Sequence, residues 1–570
     1  MTADTPDRNL ARAAAAASLL VLVALFWPTA LRRVFVYGDL SAFFLPMRIF
    51  LAEQLARGRA PIWMPDLFCG FYAHGEGQIG IFHPLRWLLY RFLPVPEAFN
   101  LECLLPYPLA LIGVALFVRR LALPASAAIF GGATFAFSAY LTLRLTHVNA
   151  LAVIAHLGWL LYAIDVALRE PGRRRYRAWL AIALVTGSQL LVGYPVAIAY
   201  CWLIAAPYAV WTARSRGELA PLAAVASAIA TGVLLGAIQL LPTYDYLMTS
   251  ERADPSYEYL TEMSLHPLHL LSAVAPWLFR NHLFMEGRHE PLERAFYFGP
   301  VVPIAALWIA LRWRALGEWR ALVAGLAALS AVALILALGG HTFFYRPFLA
   351  LPLVGWLRVP ARYTVVLYFS GAVFTAIAFA DLLRAGSSPE VRQRSRWLWI
   401  VPAASWLVAG VGLAVYQPIP EQARVVSHLL PPAKQLNDPP WILLGPIVFT
   451  LAAALFSAAA RGRRAALFAL IPLVLADQAA YAAAQWWVDP PCTIAEWRDR
   501  VLPRPVDPPL RVTTPKSYYV FLAPDNLRWW SATTPIVSGT QMVRGYVGLT
   551  PSARLDFLHA HARPVAARGR

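Results

Sequence analysis

The chain alternates long apolar runs with short polar loops along most of its length. A helix needs about 20 mostly apolar residues to cross a bilayer, and somewhat fewer inside a bundle. Thirteen runs are candidates, at 13–31, 98–118, 124–143, 149–168, 178–193, 196–211, 219–241, 297–312, 320–338, 361–383, 397–416, 441–460 and 464–484. The pattern predicts an all-α polytopic membrane protein with a bundle of about 13 transmembrane helices.

The arginines between these runs predict the orientation of the bundle. Six short loops are rich in arginine, among them "REPGRRRYR" and "RAGSSPEVRQRSR", and they alternate with loops that are longer or poor in arginine. Cytoplasmic loops carry the excess of Lys and Arg, so we expect the N-terminus on the cytoplasmic side. An odd number of spans then puts the C-terminal segment outside. The domains expected are a transmembrane domain, 1–484, and a small extracytoplasmic α/β segment, 485–570.

Two of the expected outer loops, 32–97 and 242–296, are too long to be simple connectors. The first contains "AFFLPMRIFLAEQLARG", in which apolar residues recur at helical spacing while Arg48, Glu53 and Arg57 fall elsewhere on the helix. The stretch "HPLRWLLYRFLP" later in the same loop has a similar character. Both are typical of helices that lie at a membrane surface, so we expect interfacial helices on the extracytoplasmic side.

Composition supports a membrane protein and argues against a nucleic-acid partner. The chain has 570 residues, of which 59% are hydrophobic and 14% charged. Soluble proteins have about 25% charged residues. The formal net charge is +18, but the basic residues are nearly all Arg and many lie between apolar runs. No basic stripe with interleaved aromatic residues is present, so we expect no nucleic acid as partner.

The unusual polar residues cluster on the side that the arginine pattern assigns to the exterior. Charged groups near membrane depth are costly, which makes those that occur there functional candidates. The candidates are Asp39, Glu76, Gln78, His83, His147, Tyr194, Arg252, Glu262, His266, Arg358 and Arg362. Their common side predicts a single cavity that opens outward.

Each of these residues also has a structural alternative. Asp39 follows a glycine and precedes a helical pattern, so it could be a helix N-cap. Glu76 lies between two glycines and could be a solvated turn charge, while His83 and His147 could satisfy local backbone groups. The two arginines of "LRVPARY" could extend to the membrane surface, although they oppose the trend of the other arginines.

Sequence motifs for metals and nucleotides are missing from the chain. No HExxH pattern and no paired Cys/His spacing occurs, and "GGATFAF" lacks the lysine that a phosphate-binding P-loop requires. We therefore expect no metal and no cofactor.

Several motifs in a fixed order carry a family resemblance. The order is "GDLSAFFLPMRIFLAEQLARGRAPIWMPDLFCGFYAHGEGQIGIFHPLRWL", then "TSERADPSYEYLTEMSLHPLHLLSAVAPWLF", then "LRVPARY" and finally "VRGYVGLTPSARLDFL". This order resembles the YfhO-like family of bacterial membrane proteins, glycosyltransferases of the GT-C fold class. The resemblance extends over about residues 35–560. The chain departs from the family in its shorter C-terminal region and in "GYP", where a Gly-His-Pro-Gln-like sequence is expected.

The resemblance implies transfer of a sugar from a polyprenyl-phosphate-linked donor to an envelope glycan, lipid or protein. The reaction would take place on the outer face of the bacterial cytoplasmic (inner) membrane. Asp39 matches the acidic residue of the first outer loop, which in GT-C enzymes is central to the chemistry, and a carboxylate there can act as general base. Guanidinium groups suit the departing phosphate. The implied ligands are Arg252, Arg358 and Arg362 for phosphate, with His83 as a fourth, and Glu76 and Gln78 for sugar hydroxyls. The further residues expected to bind substrate are His147, Tyr194, Glu262 and His266.

Two other classes of protein stay open at this stage. One is a transporter or flippase of a lipid-linked saccharide, although such proteins usually contain paired repeats and broken helices, and no repeat is visible here. The other is a non-catalytic assembly protein of an envelope polysaccharide pathway. An Asp39→Asn substitution separates them from the enzyme, because it should abolish sugar transfer without affecting membrane insertion.

Overall fold

A computed structural model describes residues 5–67, 70–250, 252–278, 291–351, 357–385, 388–414, 442–486 and 489–501. In this part of the chain the structure is almost wholly helical. One small antiparallel sheet pairs β1 (Trp63–Met64) with β2 (Phe71–Tyr72) inside the first long loop. The strands expected near the C-terminus lie beyond residue 501 and so outside the described residues.

The α-helices fall into two groups along the chain. The first group is α1 (Thr5–Phe26), α2 (Leu45–Ala56), α3 (Pro84–Phe92), α4 (Val95–Leu104), α5 (Pro106–Arg120), α6 (Ala125–Ala136), α7 (Ala139–Leu143), α8 (Val148–Ala155), α9 (Leu157–Arg169), α10 (Gly172–Val192), α11 (Pro195–Ser215) and α12 (Ala220–Met248). The second group is α13 (Tyr257–Thr261), α14 (Pro291–Arg294), α15 (Val301–Leu311), α16 (Trp319–Leu338), α17 (Tyr345–Leu349), α18 (Val365–Ala385), α19 (Pro389–Ser395), α20 (Ile400–Ala414), α21 (Leu444–Ala460), α22 (Ala465–Trp486) and α23 (Ile494–Val501).

Tighter or wider turns join several of these helices. A π-helical turn, Leu40–Phe44, leads into α2. The 3₁₀ turn Arg144–His147 joins α7 to α8, and the 3₁₀ turn Pro360–Thr364 leads into α18. Further 3₁₀ turns are Trp27–Leu31, Pro267–Ala273, Trp313–Ala315, Gly339–His341 and Arg396–Trp399. The candidate site described below includes the residue that precedes the π-helical turn and residues of the 3₁₀ turns Arg144–His147 and Pro360–Thr364.

Nine helical segments among the described residues are long and apolar enough to cross a membrane. The expected spans 124–143 and 149–168 both fall in one such segment, Ala125–Arg169. The expected spans 297–312 and 441–460 correspond to the shorter apolar helices α15 and α21. These helices confirm the all-α polytopic fold class, whereas the count of 13 spans and the orientation stay predictions.

The two helices expected at the membrane surface are present, and they differ in burial. Arg48 of α2, expected on an outward polar face, is instead fully buried. In α3 the polar residues Arg86 and Tyr90 are buried, whereas the apolar residues Leu88 and Phe92 are exposed, Phe92 to 74%. This is the reverse of the arrangement in a helix on the surface of a soluble protein. An apolar outer face with basic residues beside it is typical of a helix that contacts lipid. The surroundings of α3 therefore fit a membrane interface.

The last described helix packs on the start of the first long loop. Val34 and Cys492 form an antiparallel bridge. Trp497 of α23 is buried, and its indole N–H donates to the hydroxyl of Ser41 at 2.8 Å. The Arg33 guanidinium donates to the carbonyl oxygen of Pro491 at 3.0 Å. Residues near the two ends of the described chain are therefore in contact close to Asp39, because Ser41 lies two residues after it in the sequence.

Candidate functional site

Asp39 lies where the first long loop turns into a helix, and its backbone is tightly constrained. Gly38 has a φ of +58°, and a Cβ atom there would lie 2.4 Å from the Thr146 hydroxyl oxygen. The Asp39 N–H donates to that same hydroxyl at 3.0 Å. Asp39 occupies the N-cap position of the turn Leu40–Phe44, but its side chain makes no capping hydrogen bond. Its carboxylate, 22% exposed, is therefore directed to other groups.

The nearest of these groups is His147, the last residue of a 3₁₀ turn. The Nε2 atom of His147 lies 3.3 Å from Oδ2 of Asp39. On the other side of the ring, Nδ1 lies 4.0 Å from Oε1 of Glu293. The imidazole thus stands between two carboxylates, one partly exposed and one 1% exposed.

Glu293 is the centre of a buried ion network. The Arg144 guanidinium lies 2.7 Å from its Oε2 atom, and Arg362 donates to both of its oxygens, with Nε at 3.0 Å from Oε2. Burial alone would raise the pKa of Glu293, but Arg144 and Arg362 outweigh it and hold that pKa well below its usual range. Glu293 therefore stays ionised and keeps both arginines in place.

Tyrosines complete the surroundings of the two arginines. Arg362 also donates to the hydroxyl of Tyr194. The Tyr140 hydroxyl donates to the carbonyl oxygen of Arg362 at 3.1 Å, and the Arg144 guanidinium stacks over the Tyr140 ring at 4.8 Å. Asp39, His147, Tyr194 and Arg362 thus belong to one connected cluster, joined through Glu293.

A second, more exposed ion pair adjoins this cluster. Arg358 pairs with Glu262, and its guanidinium lies 4.3 Å from the centre of the Tyr259 ring. Arg358 is close enough to Arg362 to interact with it electrostatically. Between the two arginines in the sequence, Val359 has a φ of +64°, a left-handed conformation that is strained for a β-branched residue. Arg358 is 27% exposed, so this guanidinium is more accessible than Arg362.

Two side-chain amides, those of Gln78 and Asn149, connect Glu76 to the helix that follows the His147 turn. The Gln78 side-chain amide donates to Glu76 at 3.0 Å, and the Asn149 amide donates to Gln78 at 3.3 Å. Glu76 is buried, which differs from the solvated turn charge considered as an alternative. Gly193, with a φ of +84°, permits this loop to approach closely, since a Cβ there would lie 1.8 Å from the carbonyl oxygen of Gly77.

His83 joins a different set of partners inside the bundle. Its Nε2 lies 3.0 Å from the hydroxyl of Ser188, which lies 3.1 Å from Nε2 of His156. Burial, followed by the nearby charge of Arg86, lowers the pKa of His83 to about 3. The imidazole is therefore neutral at physiological pH.

Arg252 and His266 are not brought into the Asp39 cluster by any contact between described residues. The backbone N–H of Arg252 donates to the Ser250 hydroxyl, and its side chain forms no ion pair within the described ranges. His266 caps the turn Pro267–Ala273, with its Nδ1 accepting from the Leu268 N–H at 3.2 Å. Its ring packs against His341 at 4.9 Å.

Sequence reasoning did not identify Glu293 and Arg144, and it also missed a second buried glutamate. Glu102 accepts from Arg48 with both oxygens at 2.8 Å, and it also accepts from Arg86 at 2.8 Å and Tyr90 at 2.7 Å. Arg48 and Arg86 donate further to the carbonyl oxygen of Ile79. This network fastens the first long loop onto α4.

In the part of the chain that the structure describes, no three His, Cys, Asp or Glu side chains are arranged to hold a metal ion. Independence from metals stays a prediction. The cluster offers instead a partly exposed carboxylate, an imidazole and several guanidinium groups. Such groups can accept a proton and stabilise a phosphate anion.

Comparison with solved structures found three similar chains, which belong to two proteins. The ArnT crystal structures from Cupriavidus metallidurans match at 13% identity (bound to undecaprenyl phosphate; TM-score 0.44) and 14% identity (apo state; TM-score 0.40), each covering 82% of this chain and 77% of that one. The arabinofuranosyltransferase AftD from Mycobacteria matches at 18% identity and a TM-score of 0.39, covering 75% of this chain and 28% of that one. No family model and no curated protein matches the sequence.

Proposed function

We propose that this protein is a GT-C type membrane glycosyltransferase that transfers a sugar from a polyprenyl-phosphate-linked donor. The observation that carries the proposal is the position of Asp39, a partly exposed carboxylate next to His147 and a cluster of guanidinium groups. The sequence resemblance assigns the catalytic base to the same residue. The acceptor is an envelope glycan, lipid or protein, and the reaction takes place on the outer face of the bacterial inner membrane.

Asp39 is the general base in this proposal. Its carboxylate takes the proton of the acceptor hydroxyl while the acceptor oxygen forms the new bond to the anomeric carbon. The bond between that carbon and the phosphate oxygen breaks, and the electron pair leaves with the polyprenyl phosphate. A positioned general base contributes about 10²- to 10⁴-fold to the rate of such a step.

Guanidinium groups of the cluster and of the adjoining Arg358 stabilise the departing phosphate. Arg358 suits direct contact because it is partly exposed, whereas Arg362 is occupied by Glu293 and Tyr194. Charge-assisted bonds from arginine to phosphate are roughly twice as strong as neutral hydrogen bonds. Glu76 and Gln78 are the proposed ligands of sugar hydroxyls.

The test uses purified protein in proteoliposomes with a panel of radiolabelled undecaprenyl-phosphate sugars and an envelope extract as acceptor. Release of undecaprenyl phosphate and labelling of the extract are both measured. We expect wild type to be active with one donor and Asp39→Asn to be about 10²- to 10⁴-fold slower with it.

Glu53→Gln is the matched control, since it removes a carboxylate from an exposed ion pair on α2. It should transfer sugar at the wild-type rate. Equal rates for wild type and Asp39→Asn would contradict the proposal. Movement of the labelled donor across the bilayer without release of undecaprenyl phosphate would favour a flippase instead.

A further inference from the structure

His147 occupies a place that sets the orientation of Asp39. The backbone N–H of Asp39 contacts Thr146, and its carboxylate contacts His147, so both parts of the residue meet the same 3₁₀ turn. The carboxylate does not cap the helix that follows it. The imidazole therefore contributes to the direction in which the Asp39 carboxylate points.

Glu293 lies at the other edge of the imidazole. Among the described residues, Nδ1 of His147 is buried and makes no hydrogen bond, and Oε1 of Glu293 lies 4.0 Å from it. Glu293 is almost fully buried and is held by Arg144 and Arg362 from two other segments of the chain. A carboxylate fixed in this way attracts an N–H on Nδ1 and cannot turn away from it.

We propose that His147 is a positioning residue for Asp39 and that Glu293 acts through His147. A ring nitrogen that carries a hydrogen can donate to a carboxylate, and Nε2 of His147 faces Oδ2 of Asp39 at 3.3 Å. The proposal rests on the proposed function, in which Asp39 is the base. It replaces the expectation that His147 binds substrate, and it gives Glu293 a role that sequence reasoning did not supply.

The first experiment separates kcat from KM in the proteoliposome assay with the active donor. Misplacing a catalytic group by about 1 Å can cost about 100-fold in rate. His147→Ala should therefore lower kcat by about 10- to 100-fold and leave KM for the donor nearly unchanged. His147→Gln keeps one donor toward Asp39 and should recover part of the loss. A raised KM with unchanged kcat would overturn the proposal and make His147 a substrate ligand.

The second experiment tests whether Glu293 acts through His147. Glu293→Gln leaves two buried arginines uncompensated and can fail to fold, so Glu293→Asp is used, which keeps the charge and withdraws it by one methylene. It should lower kcat by about 10-fold in the wild-type background and have no further effect in His147→Ala, because residues that act in series are non-additive. Equal effects in both backgrounds would contradict the role of Glu293.

A third measurement needs no substrate. The infrared difference spectrum between wild type and Asp39→Asn isolates the carboxylate stretching band of Asp39. His147→Ala should shift that band, because the carboxylate loses a neighbouring donor; an unshifted band would contradict the proposal. Loss of transfer in Asp39→Asn together with an unshifted band would refute the positioning role alone, whereas unchanged transfer in Asp39→Asn would refute the proposed function.

Discussion

Two buried glutamates, Glu102 and Glu293, each hold two arginine side chains, yet their surroundings differ. The partners of Glu102 are Arg48, Arg86 and Tyr90, which all come from the first long loop and close onto α4. The partners of Glu293 come from segments about 150 residues before it and 69 residues after it.

The difference lies in what the two networks leave accessible. The Glu102 network is enclosed, and its arginines also donate to backbone carbonyl oxygens. The Glu293 network borders His147 and the partly exposed Asp39. The same pairing of carboxylate and guanidinium thus fastens a loop in one place and supports a reactive carboxylate in the other. Ion-pair chemistry alone does not distinguish a scaffold from a site, but access to substrate does.

The largest expected effect comes from breaking the scaffold. Glu102→Gln leaves Arg48 and Arg86 buried without their countercharge, and breaking a buried pair from one side typically costs about 3–5 kcal/mol. We expect a fall of that size in stability, measured as thermal unfolding in detergent by tryptophan fluorescence. Glu53→Gln, in an exposed pair with Arg57, is the matched control and should change stability by less than about 0.5 kcal/mol. Equal stability of the two variants would show that the Glu102 network does not hold the loop.

A smaller effect, centred on the reactive carboxylate, is expected from Gly38→Ala. The added Cβ meets the Thr146 hydroxyl at 2.4 Å and the residue keeps a positive φ, so Asp39 must move. We expect at least a 10-fold loss of transfer together with roughly 1–2 kcal/mol of destabilisation from the left-handed backbone.

Gly58→Ala is its control, because Gly58 has a φ of +65° and nothing within 4 Å of a Cβ. It should show the backbone cost with no loss of transfer. If both variants transfer sugar equally well, the close contact between Gly38 and Thr146 is not needed for activity.

The smallest expected effect is a pH dependence of stability that comes from His83, which lies close to the Glu102 network. The pKa of folded His83 is about 3, below the value of 6.5 for an unperturbed histidine, so unfolding takes up a proton below about pH 6.5. The stabilisation is complete above that pH and is lost as the pH falls toward 3, by up to about 1.4 kcal/mol per pH unit. Tm should therefore fall between pH 7.5 and 5.5, about one unit on either side of the unperturbed value. His83→Gln should reduce that slope, and an unchanged slope would mean that His83 does not titrate on unfolding.

The sequence alone was sufficient to predict the helices and to place the candidate site in the first long loop. Runs of apolar residues long enough to cross a bilayer leave few alternatives to a helix, because backbone groups in lipid must be satisfied internally. Asp39 was identified because an acidic residue just past a predicted span is unusual. The C-terminal strands lie outside the described residues and stay predictions.

Glu293 and Arg144, which lie behind His147, could not be found in this way, because only the folded chain brings them together with it. Glu293 is separated from Arg144 and Arg362 by many residues, and no local pattern connects them. The sequence does contain one signal for Arg144. Like Arg358, it lies in a loop on the expected outer side, and so it opposes the trend that places arginines in cytoplasmic loops. Glu102 likewise interrupts an apolar run, which at membrane depth calls for a paired cation.

The contact between α23 and the first loop has a consequence for biosynthesis. Ser41 and Val34 leave the ribosome some 450 residues before their partners Trp497 and Cys492. At about 5–20 residues per second, this interval is on the order of half a minute or more. During that time α23 is not yet available to pack on the segment around Asp39. The nascent chain therefore depends on the insertion machinery or on lipid to shield that segment.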